Sequence, residues 1–248
     1  MLLDEKAFWS AAPFPHLIID NFLQNDFAEE ILKTFPSKSD HSWTPYLHFN
    51  EIKYGSNRFD KFPSSTQALI SFLHSDSFCK KLSGMLNTKL IPDPYLIGGG
   101  LHQTFRNGFL NIHTDFSHHP HNTKWKRKLN LILYLNQNWP EQYNGNLEFW
   151  DKKELKCLKE IKPIFNKLVV FLTDSNSLHG SPKKLKCRND ESRKSIAIYY
   201  YEESDDCKIA ATTYFSVSSN LFYKGIVAAE NLLLKLFTRT RLLLKFRH

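Results

Sequence analysis

The segment Phe109-Leu110-Asn111-Ile112-His113-Thr114-Asp115 predicts a β-strand that ends in a His-x-Asp pair. Residues two apart on a strand face the same side, so His113 and Asp115 can point at one ion. From about Pro94 onward, similar segments of period two alternate with turn signals such as Arg106-Asn107-Gly108 and Asn144-Gly145-Asn146. The predicted strands are 96–105, 109–115, 128–135, 146–150, 158–161, 168–173, 177–180 and 194–201.

Eight short strands with frequent turns predict a mainly β protein of the α+β class, with a double-stranded β-helix (jelly-roll, cupin-like) core. Helical patterns flank this core at Asn25–Phe35, at Thr66–Leu86 with an interruption near Ser75–Ser77, and from Asn220 onward. A short strand is expected within 15–22. We therefore predict an N-terminal helical support region at 1–90, a jelly-roll catalytic core at 91–205 and a C-terminal helical extension at 206–248.

A third side chain, His179, completes a candidate metal site with His113 and Asp115. It follows the apolar strand Leu168–Leu172 and a polar turn, and it precedes Gly180. Two histidines and one carboxylate bind Fe(II) on one face and leave the opposite positions open for a cosubstrate and oxygen. Taken alone, His179 is better interpreted as a surface loop histidine, so the claim depends on the whole set.

The chain also contains a second His-x-Asp pair, His74-Ser75-Asp76, which tests how specific such a pair is. It lies in a segment of helical pattern, where residues two apart point about 200° apart around the helix axis. Those two side chains therefore cannot easily share a metal. We predict a structural role for His74 and Asp76.

Arg193 is the candidate anchor for an anionic cosubstrate. It opens the strongly β-prone strand Ile196–Tyr201 and shares a strand face with Ser195, while Lys194 takes the other face. A guanidinium offers a two-pronged hydrogen-bond donor to a carboxylate, and a nearby hydroxyl can add a further bond. An arginine that begins a core strand needs an anionic partner. The alternative is an ordinary surface charge at the start of a strand.

Between Ile97 and Tyr201 the chain resembles the 2-oxoglutarate and Fe(II)-dependent dioxygenases, specifically their prolyl-4-hydroxylase-like branch. The segments that carry the resemblance are 98–103, 109–116, 129–136, 145–151, 178–180 and 193–200. The resemblance implies that His113, Asp115 and His179 bind iron and that Arg193 binds 2-oxoglutarate with help from Ser195. It also implies cosubstrate contacts for Tyr134, which could equally be a core aromatic, and for Gln103.

The same resemblance implies a hydroxylase that uses Fe(II), 2-oxoglutarate and O2, with ascorbate as an additional cofactor, and that releases succinate and CO2. Its substrate is a small molecule or a peptide. The group that is hydroxylated could be a prolyl residue, or it could be a sugar or a lipid-linked sugar. A different class of function is a catalytically degenerate jelly-roll binding module. The complete set of His113, Asp115, His179 and Arg193 argues against that alternative.

Composition narrows the location and the partners. Net charge is +8, and Leu221–His248 carries six Lys/Arg against the single acid Glu230. This basic, leucine-rich tail could pack on the domain or form a dimer. It could instead contact an anionic membrane, which would place the enzyme near a lipid-linked substrate. Nucleic-acid binding is disfavoured because the tail lacks interleaved aromatic and basic residues.

Without a signal sequence or membrane span, we expect a cytoplasmic protein, peripheral to the inner face of a membrane if the tail binds lipid. The oligomeric state stays open.

The segment 117–127 joins two predicted strands at the mouth of the expected pocket, where loops commonly select the substrate. Its three histidines, His118, His119 and His121, could bind a second metal. We expect them to be solvated instead. Trp125 and the basic pair Lys126-Arg127 could contact an anionic or sugar-like substrate, or could cap the barrel.

Overall fold

The structure is a computed structural model that describes residues 4–40, 42–206, 208–217 and 220–245. Cys207 and residues 246–248 of the predicted helical tail lie outside the described residues. The helices of the described part are α1 (Glu5–Ser10), α2 (Asn25–Lys33), α3 (Ser64–His74), α4 (Asp76–Leu86) and α5 (Leu221–Lys245).

The described residues form fourteen strands, and all eight strands predicted from the alternating pattern are among them. The strands are β1 (His16–Ile19), β2 (Thr44–His48), β3 (Glu51–Ser56), β4 (Ile91–Pro92), β5 (Gly100–Phe105), β6 (Phe109–Thr114), β7 (His118–His119), β8 (Asn122–Tyr134), β9 (Leu147–Asp151), β10 (Lys156–Ile161), β11 (Lys167–Leu172), β12 (Leu178–Ser181), β13 (Ser192–Glu203) and β14 (Thr213–Tyr214).

These strands pair into one curled antiparallel sheet in the order β1-β11-β8-β13-β5-β3-β6-β12-β9-β10. Strand β3 pairs with β5 through Tyr54 and Gln103 and with β6 through Glu51 and Leu110. It therefore joins the two layers of the sheet. The predicted mainly β jelly-roll core with flanking helices is confirmed, and its functional residues lie between the two layers.

Strand β8 shows how alternation separates the core from the site. Leu129, Leu131 and Leu133 are fully buried and belong to the large cluster that also contains Leu73 and Leu82 of α3 and α4. The intervening residues Asn130, Ile132 and Tyr134 line the cavity between the layers instead. One strand thus packs on the helices with one face and presents functional side chains with the other.

The N-terminal region is only partly what the sequence predicts. Helices α2, α3 and α4 and strand β1 are confirmed, and α4 begins at Asp76, where the helical pattern was interrupted. The hairpin formed by β2 and β3 was not predicted, and its β3 strand lies inside the sheet. Residues 1–90 therefore contribute strands to the jelly roll as well as helices around it. The domain boundaries themselves stay predictions.

Helix α5 is fixed to the domain by its first half. Glu230 lies 2.6 Å from Nδ1 of His48 and accepts a hydrogen bond from Asn50, and the amide of Asn231 binds both the N–H and the C=O of Tyr214 at 2.8 Å. Helix α5 therefore packs on the domain, which was one of the three alternatives that the sequence left open for this tail. Leucine and phenylalanine side chains on its outer side remain exposed, so membrane contact and dimerisation stay predictions. Among the described helices, none combines the length and apolarity that crossing a membrane requires.

Candidate iron centre

A cavity of about 200 Å³ opens between the two layers of the sheet. Its wall contains the three predicted metal ligands His113, Asp115 and His179, together with Arg193. These three ligands form the one group of metal-binding side chains found among the described residues, with their donor atoms within 4.8 Å of one another. The sequence-predicted set is therefore brought together.

Strand pairing places the two histidines side by side. His113 on β6 lies directly opposite His179 on β12, and their ring centroids are 4.4 Å apart. Asp115 follows β6 by one residue, with Oδ1 3.6 Å from Nε2 of His113 and Oδ2 3.5 Å from Nε2 of His179. These separations leave room for one ion bound by all three side chains.

Both histidines hold the tautomer that a metal ligand needs. Nδ1 of His113 lies 2.9 Å from the carbonyl oxygen of Asn111, and Nδ1 of His179 lies 2.9 Å from that of Ser177. A carbonyl can only accept, so each Nδ1 carries the proton and each Nε2 presents a lone pair to the cavity. The donor set therefore fits an iron ion.

The carboxylate of Asp115 is held in place by two cavity residues. Asn130 donates from Nδ2 to Oδ2 of Asp115 at 2.8 Å, and Arg127 approaches the same oxygen at 3.2 Å. Arg127 also donates from Nε to Oδ1 of Asn130 at 2.9 Å, and its guanidinium lies 3.5 Å from the ring centroid of Tyr199. The orientation of Asp115 is therefore set before any ion binds.

Electrostatics favour an ionised Asp115 beside a neutral His179. Burial opposes ionisation of Asp115, but Arg127 and then His179 outweigh it, so the pKa of Asp115 lies well below its usual value. Burial, followed by the nearby His113, lowers the pKa of His179 to about 4. A carboxylate and neutral imidazoles are the protonation states that bind a divalent cation.

Arg193 fits an anionic cosubstrate. Its Nη1 donates to the carbonyl oxygen of Gly145 at 2.7 Å and to Oγ of Ser181 at 2.8 Å, while Nε is buried without a hydrogen-bond partner. No carboxylate of the described residues forms an ion pair with it, and burial lowers its pKa. Gly145 permits this close contact because its φ is +89° and a Cβ there would lie 3.3 Å from Cδ of Arg193.

Ser195 and Tyr134 line the cavity, and Gln103 does not. Tyr134 also belongs to a core cluster with Phe149, so both of its interpretations stay open. Tyr134, Ser195 and His102 are direct cross-strand neighbours on β8, β13 and β5, and all three line the cavity. Gln103 is on the opposite face of β5, where its Nε2 donates to Oγ of Ser192 at 2.8 Å. The prediction for Gln103 is wrong because the strand register brings His102 to the cavity instead.

Arg127 is the main site residue that sequence reasoning did not assign. Tyr200 pairs with Leu129 but Tyr201 pairs with Arg127, so Lys128 is an extra residue at a β-bulge. The bulge turns Arg127 to the same face as Asn130, which strict alternation would not predict. Arg127 is 3% exposed and lines the cavity, and whether it or its neighbours Trp125 and Lys126 contact a substrate stays a prediction.

Tyr214 and Glu51 also line the cavity, and sequence reasoning missed them. Tyr214 pairs with His113 across β14 and β6, and its ring centroid lies 5.6 Å from that of His113. Its hydroxyl donates to Oε2 of Glu51 at 3.3 Å, and Nζ of Lys53 lies 2.6 Å from Oε1 of Glu51. No local pattern marks these residues, because their contacts join segments that are far apart in the sequence.

The histidine-rich segment after the metal motif is buried, and the expectation of solvated histidines is wrong for two of them. His118 and His119 are 4% and 1% exposed. His119 accepts at Nδ1 from the backbone N–H of His121, so its Nε2 donates to Oδ1 of the buried Asp93 at 3.2 Å. These histidines hold β7 in place and form no second metal group among the described residues.

Residues 99–201 match the sequence profile of the 2OG-Fe(II) oxygenase superfamily. The chain is also 27% identical over 198 residues to mouse prolyl 3-hydroxylase OGFOD1. That alignment covers 77% of this chain and 33% of the mouse protein, so the chain spans about a third of the length of this curated relative. The matched profile contains all three metal ligands and Arg193.

Solved structures of prolyl hydroxylases share the fold. A Trichoplax adhaerens prolyl hydroxylase, solved with a peptide fragment of the hypoxia inducible factor oxygen degradation domain, superposes with a TM-score of 0.57 at 19% identity, covering 75% of this chain and 83% of that one. A Pseudomonas putida prolyl-4-hydroxylase gives a TM-score of 0.58 at 13% identity, covering 82% and 100%.

The fold and the site together place two histidines and one aspartate, a candidate mononuclear metal-binding set, inside a double-stranded β-helix. Over residues 99–201 the chain is similar to the 2OG-Fe(II) oxygenase superfamily, and a prolyl 3-hydroxylase is among its relatives.

Proposed function

We infer that this protein is an Fe(II)- and 2-oxoglutarate-dependent hydroxylase that acts on a prolyl residue of a peptide or protein. One observation carries the reaction class. Two strand-paired histidines and Asp115 line the same cavity as Arg193, a half-buried arginine that has no acidic partner among the described residues. The names of the relatives, a prolyl 3-hydroxylase and a prolyl hydroxylase bound to a peptide, support the substrate class.

Each group has its own residues. His113, Asp115 and His179 would hold the iron through Nε2, a carboxylate oxygen and Nε2. Arg193 would pair with the distal carboxylate of 2-oxoglutarate. Tyr134 and Ser195 are cross-strand neighbours that line the same cavity, so their hydroxyls are further candidate donors. When bound, iron and 2-oxoglutarate supply the oxygen chemistry that converts C–H to C–OH with release of succinate and CO2.

The chain's own residues position and shield these groups. Arg127 and Asn130 orient the metal-binding carboxylate, and the carbonyls of Asn111 and Ser177 fix the two imidazoles. Apolar wall residues, Ile132, Leu147 and Phe116, limit the water that can enter. A prolyl ring would enter past Tyr46, Thr212 and Tyr214, which line the cavity on the β2, β14 and adjoining segments.

The test is formation of succinate from 2-oxoglutarate with added Fe(II), with and without peptides that contain proline. Asp115→Ala should abolish succinate formation because a metal ligand is lost. Asp76→Ala is the matched control, since Asp76 belongs to the other His-x-Asp pair and is exposed at the start of α4. Equal turnover of both variants would contradict the iron site. Activity without any prolyl hydroxylation would favour the sugar or lipid-linked sugar alternative.

A further inference from the structure

A second cavity lies behind the wall of the iron site. Its volume is about 260 Å³, and it lies between α5, β7 and the segment 209–212. Apolar side chains dominate its lining: Ile97, Phe116, Pro120, Ile209, Leu234 and Phe237. Among the described residues that line it, none is Asp, Glu, Lys or Arg. We call it the apolar chamber.

The apolar chamber adjoins the iron cavity. Phe116 and Thr212 line both cavities and so lie at the boundary between them. Phe116 follows the candidate metal ligand Asp115 in the chain, and Thr212 precedes the strand that pairs with His113. A side chain that flanks the reacting residue of a substrate would therefore lie close to the chamber when the reacting carbon faces the metal site.

The lining selects an uncharged apolar group. Charged groups would lose their hydration in the chamber without meeting an opposite charge, which is unfavourable. Polar side chains also line it, among them Thr123, Thr238 and the buried His118, whose Nε2 has no hydrogen-bond partner among the described residues. This nitrogen can bind a single backbone amide or carbonyl of a peptide, which an acyl chain does not offer.

Helix α5 forms the outer wall, and its position is determined by specific contacts. Glu230 and Asn231 fix the helix to His48 and Tyr214 one turn before Leu234. Leu234 is half-buried against the chamber, whereas its neighbour Leu233 is 66% exposed on the other side of the helix. The wall is thus built by this chain itself.

We propose that the apolar chamber is a specificity subsite that takes an aliphatic or aromatic side chain of the peptide substrate close to the hydroxylated residue. The assignment rests on the proposed prolyl hydroxylation for the peptide nature of the ligand. The size and the uncharged lining of the chamber stand independently of that function.

The first experiment tests the chamber without turnover, by titrating the full chain with the neutral fluorescent probe N-phenyl-1-naphthylamine. Leu234→Asp should weaken probe binding by about tenfold or more because it places a charge in the chamber. Leu233→Asp is the matched control and should bind as the wild type does. Ala211→Phe, which fills the chamber, should also lose the probe. Equal binding by all four proteins would overturn the proposal.

The second experiment identifies the occupant, with a degenerate peptide library that has proline at its centre. Mass spectrometry of the hydroxylated products should show enrichment of apolar residues at one flanking position, lost in Leu234→Asp and kept in Leu233→Asp. Hydroxylation without such a preference would overturn the peptide side chain as the occupant and favour an acyl chain. A library with no hydroxylated product would contradict the proposed function, while the probe titration still decides the nature of the chamber.

Discussion

Arg127 and Arg193 enter the same cavity from the paired strands β8 and β13, but only Arg127 has an acidic partner. Arg127 lies 3.2 Å from the carboxylate of Asp115 and packs against the ring of Tyr199. Arg193 binds only a backbone carbonyl and a serine hydroxyl, and its Nε is left without a partner. The pKa of Arg127 is raised, because Asp115 and Tyr199 outweigh burial, whereas burial lowers the pKa of Arg193.

This difference indicates a structural role for the charge of Arg127 and a ligand-binding role for the charge of Arg193. A buried guanidinium without an opposite charge loses free energy of hydration that only a bound anion can restore. Arg127 is already compensated within the protein and acts on the metal side of the cavity. Arg193 is uncompensated and acts on the cosubstrate side. Four predictions test this division, beginning with the largest effect.

Arg193→Gln should raise the 2-oxoglutarate concentration at half-saturation by about a hundredfold or more, because the buried carboxylate of the cosubstrate loses its counter-charge. Succinate formation against 2-oxoglutarate concentration measures this. Arg188→Gln, at an exposed arginine paired with Asp190, serves as the control and should leave the curve unchanged. An unchanged curve for Arg193→Gln would remove the distinction between the two arginines.

Asn130→Ala should weaken metal binding by about tenfold, since the Asp115 carboxylate loses a hydrogen bond that orients it. Calorimetric titration with Mn(II) in the absence of cosubstrate measures this without turnover. Tyr134→Phe, on the same face of the same strand, is the control and should bind the metal as the wild type does. Equal weakening by both variants would show that the metal and cosubstrate sides are not separate.

Arg127→Gln should lower the melting temperature of the metal-free protein by about 4 °C, because the buried Asp115 carboxylate then lacks its counter-charge. Arg193→Gln should change the same temperature by less than about 2 °C, since no ion pair is lost. Differential scanning calorimetry compares the two variants directly. A larger decrease in melting temperature for Arg193→Gln than for Arg127→Gln would contradict the structural role of Arg127 and the ligand-binding role of Arg193.

A third cation extends the comparison to a group that titrates. His48 lies between Glu51 and Glu230. The hydrogen bond to Glu51 and the negative charges of both carboxylates raise the pKa of His48 above 6.5, although burial acts in the opposite direction. A raised pKa stabilises the folded protein at pH below 6.5, and this stabilisation is lost as pH rises through the folded-state pKa. The wild type should therefore exceed His48→Gln in melting temperature by about 2 °C at pH 6 and lose this advantage above the raised pKa. A constant difference across this range would contradict the pairing.

Local patterns predicted most of the fold. Alternation located eight of the fourteen strands of the described residues, and the interruption near Ser75 marks the junction of α3 and α4. The hairpin Thr44–Ser56 was missed because its polar, exposed first strand has no apolar alternation, and because its pairing with β5 and β6 is tertiary. The alternation of apolar and polar residues indicates which face of a strand each side chain is on, but it does not indicate which strand or helix packs against that face.

The same limit explains which site residues could be predicted. His113, Asp115, His179 and Arg193 were identified because residue type, order and strand context agree with a known family. Arg127 was not, because a one-residue bulge reverses its direction. Gln103 was assigned to the wrong face, since the register of β5 against β13 depends on contacts with Ser192 and Ser195 that no local signal encodes.

The pairing of His113 and Thr114 with Thr213 and Tyr214, completed by Asn231, has a consequence for biosynthesis. The strand that bears the first metal ligand reaches its final neighbours only when residues about a hundred positions downstream have left the ribosome. Chain elongation at about 5 to 20 residues per second makes this a wait of several seconds or longer. The candidate metal site therefore reaches its final packing only after the core has been translated.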